Sequence, residues 1–133
     1  MYIRKDNIIL KTIRENKKHK KIYIPSKHAV TRWTNILNEE IFNNKIHPFK
    51  DIEIRRRHGC HAEHIGWESG PFVYGELSMN NWFWNKSEFI YTIAHEMIHQ
   101  WQWMNFHKTN HGRTFMKWKD KLRKFDIPLG VEV

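Results

Sequence analysis

A chain of 133 residues, 40% hydrophobic and 14% aromatic, has the size and composition of one folded domain and not of a disordered segment. Its single cysteine, Cys60, excludes an internal disulfide and any metal cluster built on several thiolates. No stretch reaches the roughly 20 apolar residues of a membrane span, and Ile8-Ile9-Leu10 is too short for the core of a signal peptide. An intracellular protein without a membrane partner is therefore expected. The formal net charge of +9 is uneven. Residues 1–28 hold nine Lys/Arg against two Asp/Glu, while the rest of the chain holds 14 against 12. Residues 1–25 thus read as a basic segment ahead of a domain over 26–133. Such a segment either contacts a polyanion or is a solvated arm.

In chain order, residues 1–24 are open between short strands and a helix, with Lys17 to Lys21 as an exposed loop. Ile22-Tyr23-Ile24 is extended, because the residue before Pro25 avoids the helical region. Ser26 can cap a helix over about 27–43, with Val30, Trp33, Leu37 and Ile41 as its apolar stripe. Ile52–Arg55 alternates like a strand. The segments 58–67 and 71–80 read as further strands. Asn85 can cap a helix over about 86–104, with Glu88 in a capping-box position and an apolar surface broad enough for burial on several sides. A last helix is expected over about 111–125, with Phe115, Trp118, Leu122 and Phe125 inward. Val131 to Val133 suggests an edge strand.

The chemistry concentrates on the central helix. His95 and His99, four residues apart, lie on one helical face, so two imidazoles can hold one Zn²⁺ at about 2.0–2.1 Å. Glu96 lies about 100° around the helix, where it can reach a water without ligating the metal. Zinc lowers the pKa of that water towards ~7, and a carboxylate can take its proton. A catalytic zinc needs a third protein ligand. His111 is favoured because it opens the next helix beside Gly112. His107, in the connecting loop, is the alternative.

The run His95-Glu96-Met97-Ile98-His99, followed by His111-Gly112-Arg113-Thr114-Phe115, resembles the SprT-like metallopeptidases, the group that includes Spartan. Gly75 to Asn80 is similar to the strand that precedes their active-site helix. The resemblance covers roughly residues 26–125. It implies His95, His99 and His111 as zinc ligands, Glu96 as general base, a protein or peptide substrate, and in the Spartan branch proteins crosslinked to DNA. The cysteine ribbon that many relatives carry is not possible with one Cys. The basic N-terminal segment is then the candidate DNA contact, and the location cytoplasmic or DNA-associated.

Tyr74 and Arg113 are candidate oxyanion donors, although a packed aromatic and a surface charge are the plainer readings. Arg55-Arg56-Arg57-His58 with His61 and His64 suits a phosphate contact or a solvated strand edge. Trp82, Trp84, Trp101, Trp103 and Trp118 suit core and cleft walls better than base stacking. Cys60 reads as a small, partly buried residue. The expected fold is α+β and zincin-like. A small, mostly antiparallel sheet packs with an N-terminal helix and two C-terminal zinc-binding helices. The expected function is a zinc-dependent peptidase of the HExxH type. The alternatives are a non-proteolytic nucleic-acid-binding module with a structural zinc, or a hydrolase of a non-peptide bond. The oligomeric state is not legible.

Overall fold

The computed structural model describes residues 6–130. The first helix, α1 (Asp6–Lys18), settles the ambiguity at the start of the chain. Ile9 and Ile13, four residues apart, are fully buried, and each such side chain contributes about 1.5–3 kcal/mol on removal from water. α1 is therefore docked on the folded core through Ile9 and Ile13, and exposed chain begins at its end. Tyr2-Ile3 and the edge strand expected at Val131 to Val133 lie outside the described residues.

Ser26 caps α2 (Lys27–Glu40) as expected, its Oγ accepting from the Ala29 N–H at 3.1 Å. Val30, Trp33, Leu37 and the following Ile41 are buried. The helix ends three residues short of 43. Asn43 and Asn44 take positive φ values of 52° and 58°, which Asn tolerates better than most residues. The Asn38 side chain then bonds both the N–H and the C=O of Ile46, which folds the loop back onto α2.

Three strands form the sheet in the order β1-β3-β2: β1 (Ile52–Arg55), β2 (Ala62–Ser69) and β3 (Phe72–Asn80). The sheet is mixed, not mostly antiparallel. β2 and β3 form an antiparallel hairpin, closed by a two-residue turn with Gly70 at φ 58°, as a type II′ turn needs. β1 pairs parallel to β3 along its other side, from Ile52 opposite Leu77 to Arg55 opposite Asn80. The chain reaches β3 only after running out and back through the hairpin, so β1 and β3 point the same way. A further antiparallel bridge joins Tyr23 to Phe83.

The central helix α3 (Lys86–Phe106) has two N-terminal caps. Asn85 Oδ1 accepts from the Glu88 N–H, and Asn16 Oδ1, from α1, accepts from the Ser87 N–H. α1 thus satisfies one of the orphan donors of α3. Most of α3 is buried, because α1, α2 and the sheet all pack on it. Its C-terminal half approaches the sheet at Gly66 and Gly75, which face each other across β2 and β3. A Cβ on Gly66 would stand 2.4 Å from the Trp103 ring, and one on Gly75 would stand 1.9 Å from Gln100 Oε1. The single last helix expected over 111–125 is instead two short pieces, α4 (Arg113–Met116) and α5 (Lys119–Arg123), broken by a turn at Lys117-Trp118. The turn lets Phe115 pack beneath α3 while Trp118 meets Phe42 and Trp101 edge-on. Phe115, Trp118, Leu122 and Phe125 are all buried. No helix among the described residues is long and apolar enough to cross a membrane.

Gly66→Ala should destabilise the protein by about 1–3 kcal/mol, since Trp103 is pinned by its Nε1–H bond to the Tyr74 carbonyl and cannot move aside freely. Chemical denaturation checks this, and an unchanged midpoint would refute the close-approach argument.

Candidate metal centre

α3 carries His95, Glu96 and His99 at its most buried stretch. The chain then turns at His107, in the left-handed conformation at φ 57°, and returns so that His111 faces the same point. The three Nε2 atoms form a nearly equilateral triangle. His95 to His99 is 3.1 Å, and His111 is 3.3 Å from each. Three nitrogens at about 2.0–2.1 Å from one tetrahedral ion would stand about 3.3–3.4 Å apart. The three residues could therefore hold a metal ion.

The tautomers favour this reading. The Gln102 amide is oriented by its own bonds, its Nε2 donating to Thr114 Oγ1 at 2.9 Å and its Oε1 accepting from the Asn110 N–H. His99 Nδ1, 2.8 Å from that Oε1, must then be the donor, which leaves Nε2 a bare lone pair. His95 bonds the Gly130 backbone and likewise turns Nε2 inward. Two lone pairs facing each other at 3.1 Å repel unless a cation lies between them. Burial lowers the His95 pKa to about 3, helped by His99 and His111. Burial also lowers His99 to about 4, partly offset by Gln102. Both imidazoles are therefore neutral, as metal ligands must be. The Phe115 ring supports all three, with centroids at 4.8, 5.0 and 4.9 Å from His95, His99 and His111.

Glu96 is 2% exposed, and its Oε2 has no hydrogen-bond partner. Burial pushes its pKa up to about 8; Glu63 raises it and Arg57 lowers it. An orphaned carboxylate oxygen beside three inward nitrogens suits a site completed by a cation and a water. The cleft around it, about 440 Å³, is walled by Ala62, Glu63 and His64 of β2, with Cys60 and Thr109 at its rim.

His107 does not join the cluster. Its Nδ1 pairs with Glu68 Oε1 at 2.6 Å on the far side of the turn. His111 sits two residues ahead of α4, not on it, and Gly112 closes a turn in which its N–H donates to Asn110 Oδ1. Gly112 thus serves this turn and not a helix–helix contact, since a Cβ there would meet only Asn110. Tyr74 lies under Lys50, and Arg113 is exposed; neither lines the cleft. Of the basic stretch, Arg55 pairs with Glu53, while Arg57 turns inward to Ser78 Oγ at 2.6 Å. Trp84 is largely exposed, Trp118 is buried and the other three Trp singled out are half-buried.

Sequence reasoning missed Gln102 and Gln100, and it read Arg57 as part of a basic stretch and not as an inward-facing partner of Ser78. The signal available was a polar side chain on an otherwise buried face, at positions 100 and 102. His64 Nε2 bonds Gln100 Oε1 at 2.8 Å, and the Gln100 amide donates to the His47 and Pro48 carbonyls.

The shifts set a pH profile for the metal-free protein. Between about pH 4.5 and 6.5 the unfolded chain protonates His95 and His99, and the folded one holds a proton on Glu96 instead. The unfolded state binds one proton more, so stability rises with pH. Between 6.5 and about 8 only folded Glu96 keeps its proton, and stability falls with rising pH. The melting temperature of metal-free protein should therefore peak near pH 6.5, and a monotonic profile from pH 5 to 8 would contradict these assignments.

Comparison with curated proteins and with solved structures gives no match. The family model described as SprT-like family matches residues 30–132, which takes in both histidine segments, the sheet and most of α2. The chain belongs to the SprT-like family.

Proposed function

We propose that this protein is a zinc-dependent metallopeptidase that hydrolyses peptide bonds with Glu96 as general base. The observation that carries the reading is the triangle of three inward Nε2 atoms with an unpaired Glu96 oxygen in the same cleft. Membership of the SprT-like family supports it. Three imidazoles and an open fourth position are a borderline donor set suited to zinc. A zinc ion held there supplies a Lewis acid for the scissile carbonyl and for the attacking water. His95, His99 and His111 would hold it. Gln102 keeps His99 in the ligating tautomer, and Phe115 keeps the three rings in place. Glu96 takes the proton of the attacking water and passes it to the leaving amine. A bound dication favours the ionised carboxylate, so it moves Glu96 back down from its raised value and makes it a base near neutrality. Among the described residues β2 is an edge strand beside the cleft, and its unpaired side suits an extended peptide added as a further strand.

Purified protein should carry close to one zinc. Glu96→Gln should keep zinc and fold but lose about 10²–10⁴-fold in peptide hydrolysis. Retained activity in that variant, or no zinc-dependent gain in stability in the wild type, would refute the reading.

Exposed Lys11, Lys17, Lys18, Lys20 and Lys21 cluster on α1 and just beyond it, which favours substrates close to DNA or another polyanion. Ile9 and Ile13 belong to the core, so charge substitution tests this better than truncation does. Changing Lys17, Lys18, Lys20 and Lys21 to Glu should weaken DNA binding and flatten its salt dependence. An unaltered salt slope would remove the polyanion reading and favour substrates free of nucleic acid.

A further inference from the structure

A second cavity, about 380 Å³, lies on the other side of His95 from the metal cleft. That volume is at the low end for small-molecule and side-chain pockets, which run from about 300 Å³. Its lining includes Glu88, Tyr91 and Thr92 from the two turns of α3 before His95, and His61 from the segment leading into β2. Two buried polar atoms of this lining have no partner, Glu88 Oε2 and His61 Nδ1. An unpaired carboxylate oxygen away from water is costly unless a ligand satisfies it. The Thr92 hydroxyl, the obvious local donor, is spent on the Glu88 carbonyl at 2.8 Å. Among the described residues no cation stands within ion-pair distance of Glu88. Burial raises the Tyr91 pKa against the opposing effect of Ser87, and the Asp126 and Glu88 charges add to the rise, so both carboxylates place negative potential at this phenol. Asp126 already faces Arg14 at 3.4 Å, whereas Glu88 has no such partner among the described residues.

The wall is mixed. The Tyr91 ring and Pro128 offer apolar surface for a methylene stem, and the unpaired Glu88 oxygen offers an acceptor for its cationic head. Lys carries three N–H donors and no acceptor, and Arg carries five. Both match the unpaired carboxylate oxygen of Glu88. An acidic side chain would meet Glu88 and be repelled.

We propose that this cavity is a specificity pocket for a basic side chain, Lys or Arg, flanking the scissile bond, with Glu88 as the residue that selects it. This rests on the peptidase reading, because His95 is the wall shared by the pocket and the metal cleft. The substrates are then proteins or peptides rich in basic residues.

The test compares peptides that differ at one position, Lys or Arg against norleucine, with zinc-loaded wild type, Glu88→Gln and Glu88→Asp. Wild type should favour the basic peptides at least tenfold in kcat/KM. The ratio should collapse in Glu88→Gln and survive in Glu88→Asp, which keeps the charge. Cleavage without that preference, or a preference that persists in Glu88→Gln, overturns the pocket and leaves the peptidase reading intact. A second readout needs no turnover: calorimetry on zinc-loaded Glu96→Gln protein with argininamide and norleucinamide as probes. Argininamide should bind at least tenfold more tightly, and adding Glu88→Gln should remove the margin. Equal affinities overturn the pocket. Selective binding without any cleavage by the wild type would sustain the pocket and refute the peptidase reading.

Discussion

The arrangement around the metal centre depends on one amide, that of Gln102. It is buried on α3, and it faces the segment that returns from the turn at His107. Its oxygen fixes the His99 tautomer and accepts from the Asn110 N–H, and its nitrogen reaches Thr114. One side chain therefore orients an imidazole already on the helix and ties down the loop that delivers another. Losing a partner of this kind typically costs a metal site about 10–100-fold in affinity, because a ring free to rotate loses the lone-pair direction. Phe115 gives the second constraint. Its ring contacts all three imidazoles, so the short α4 is positioned by the same cluster that it supports.

α3 can serve as this platform because it is buried nearly all round. Two glycines make that possible on the sheet side, where Gly66 admits the Trp103 ring and Gly75 admits the Gln100 amide. At its other end, Asn16 of α1 closes a free N–H of the helix. The basic segment thus has two parts of different character. An amphipathic helix contributes to the core, and a lysine-rich stretch from its last turn to Lys21 is solvated. The same burial that fixes the imidazoles also shifts their protonation. His95 and His99 are neutral and Glu96 is held protonated near neutrality until a cation is present. Metal-free and metal-bound protein should therefore differ in the charge of Glu96 as well as in occupancy.

Much was legible before any coordinates. The i, i+4 pair, the caps Ser26 and Asn85, and the stripes of α2 and α3 follow from local chemistry and periodicity, and they stand where the sequence puts them. The last helix was misread because the stripe Phe115, Trp118, Leu122, Phe125 has helical spacing whether or not the backbone is continuous. The break at Lys117-Trp118 comes from two aromatics docking on different partners. The parallel pairing of β1 was invisible for a similar reason. Alternation identifies a strand but not its neighbour, and the hairpin between β1 and β3 reverses the chain twice.

The sequence alone determined the donor types, their spacing on α3 and a resemblance to a family that the chain proves to belong to. Those properties depend on residues close together along the chain. The tertiary structure alone brings His111, and not His107, to the imidazoles of His95 and His99, because the turn at His107 sends one ring to that cluster and the other to Glu68. It also revealed Gln102 as the orienting partner and Glu88 as an unpaired acceptor. Whether a polar side chain has a partner depends on what folds against it, and that is not written in its neighbours along the chain.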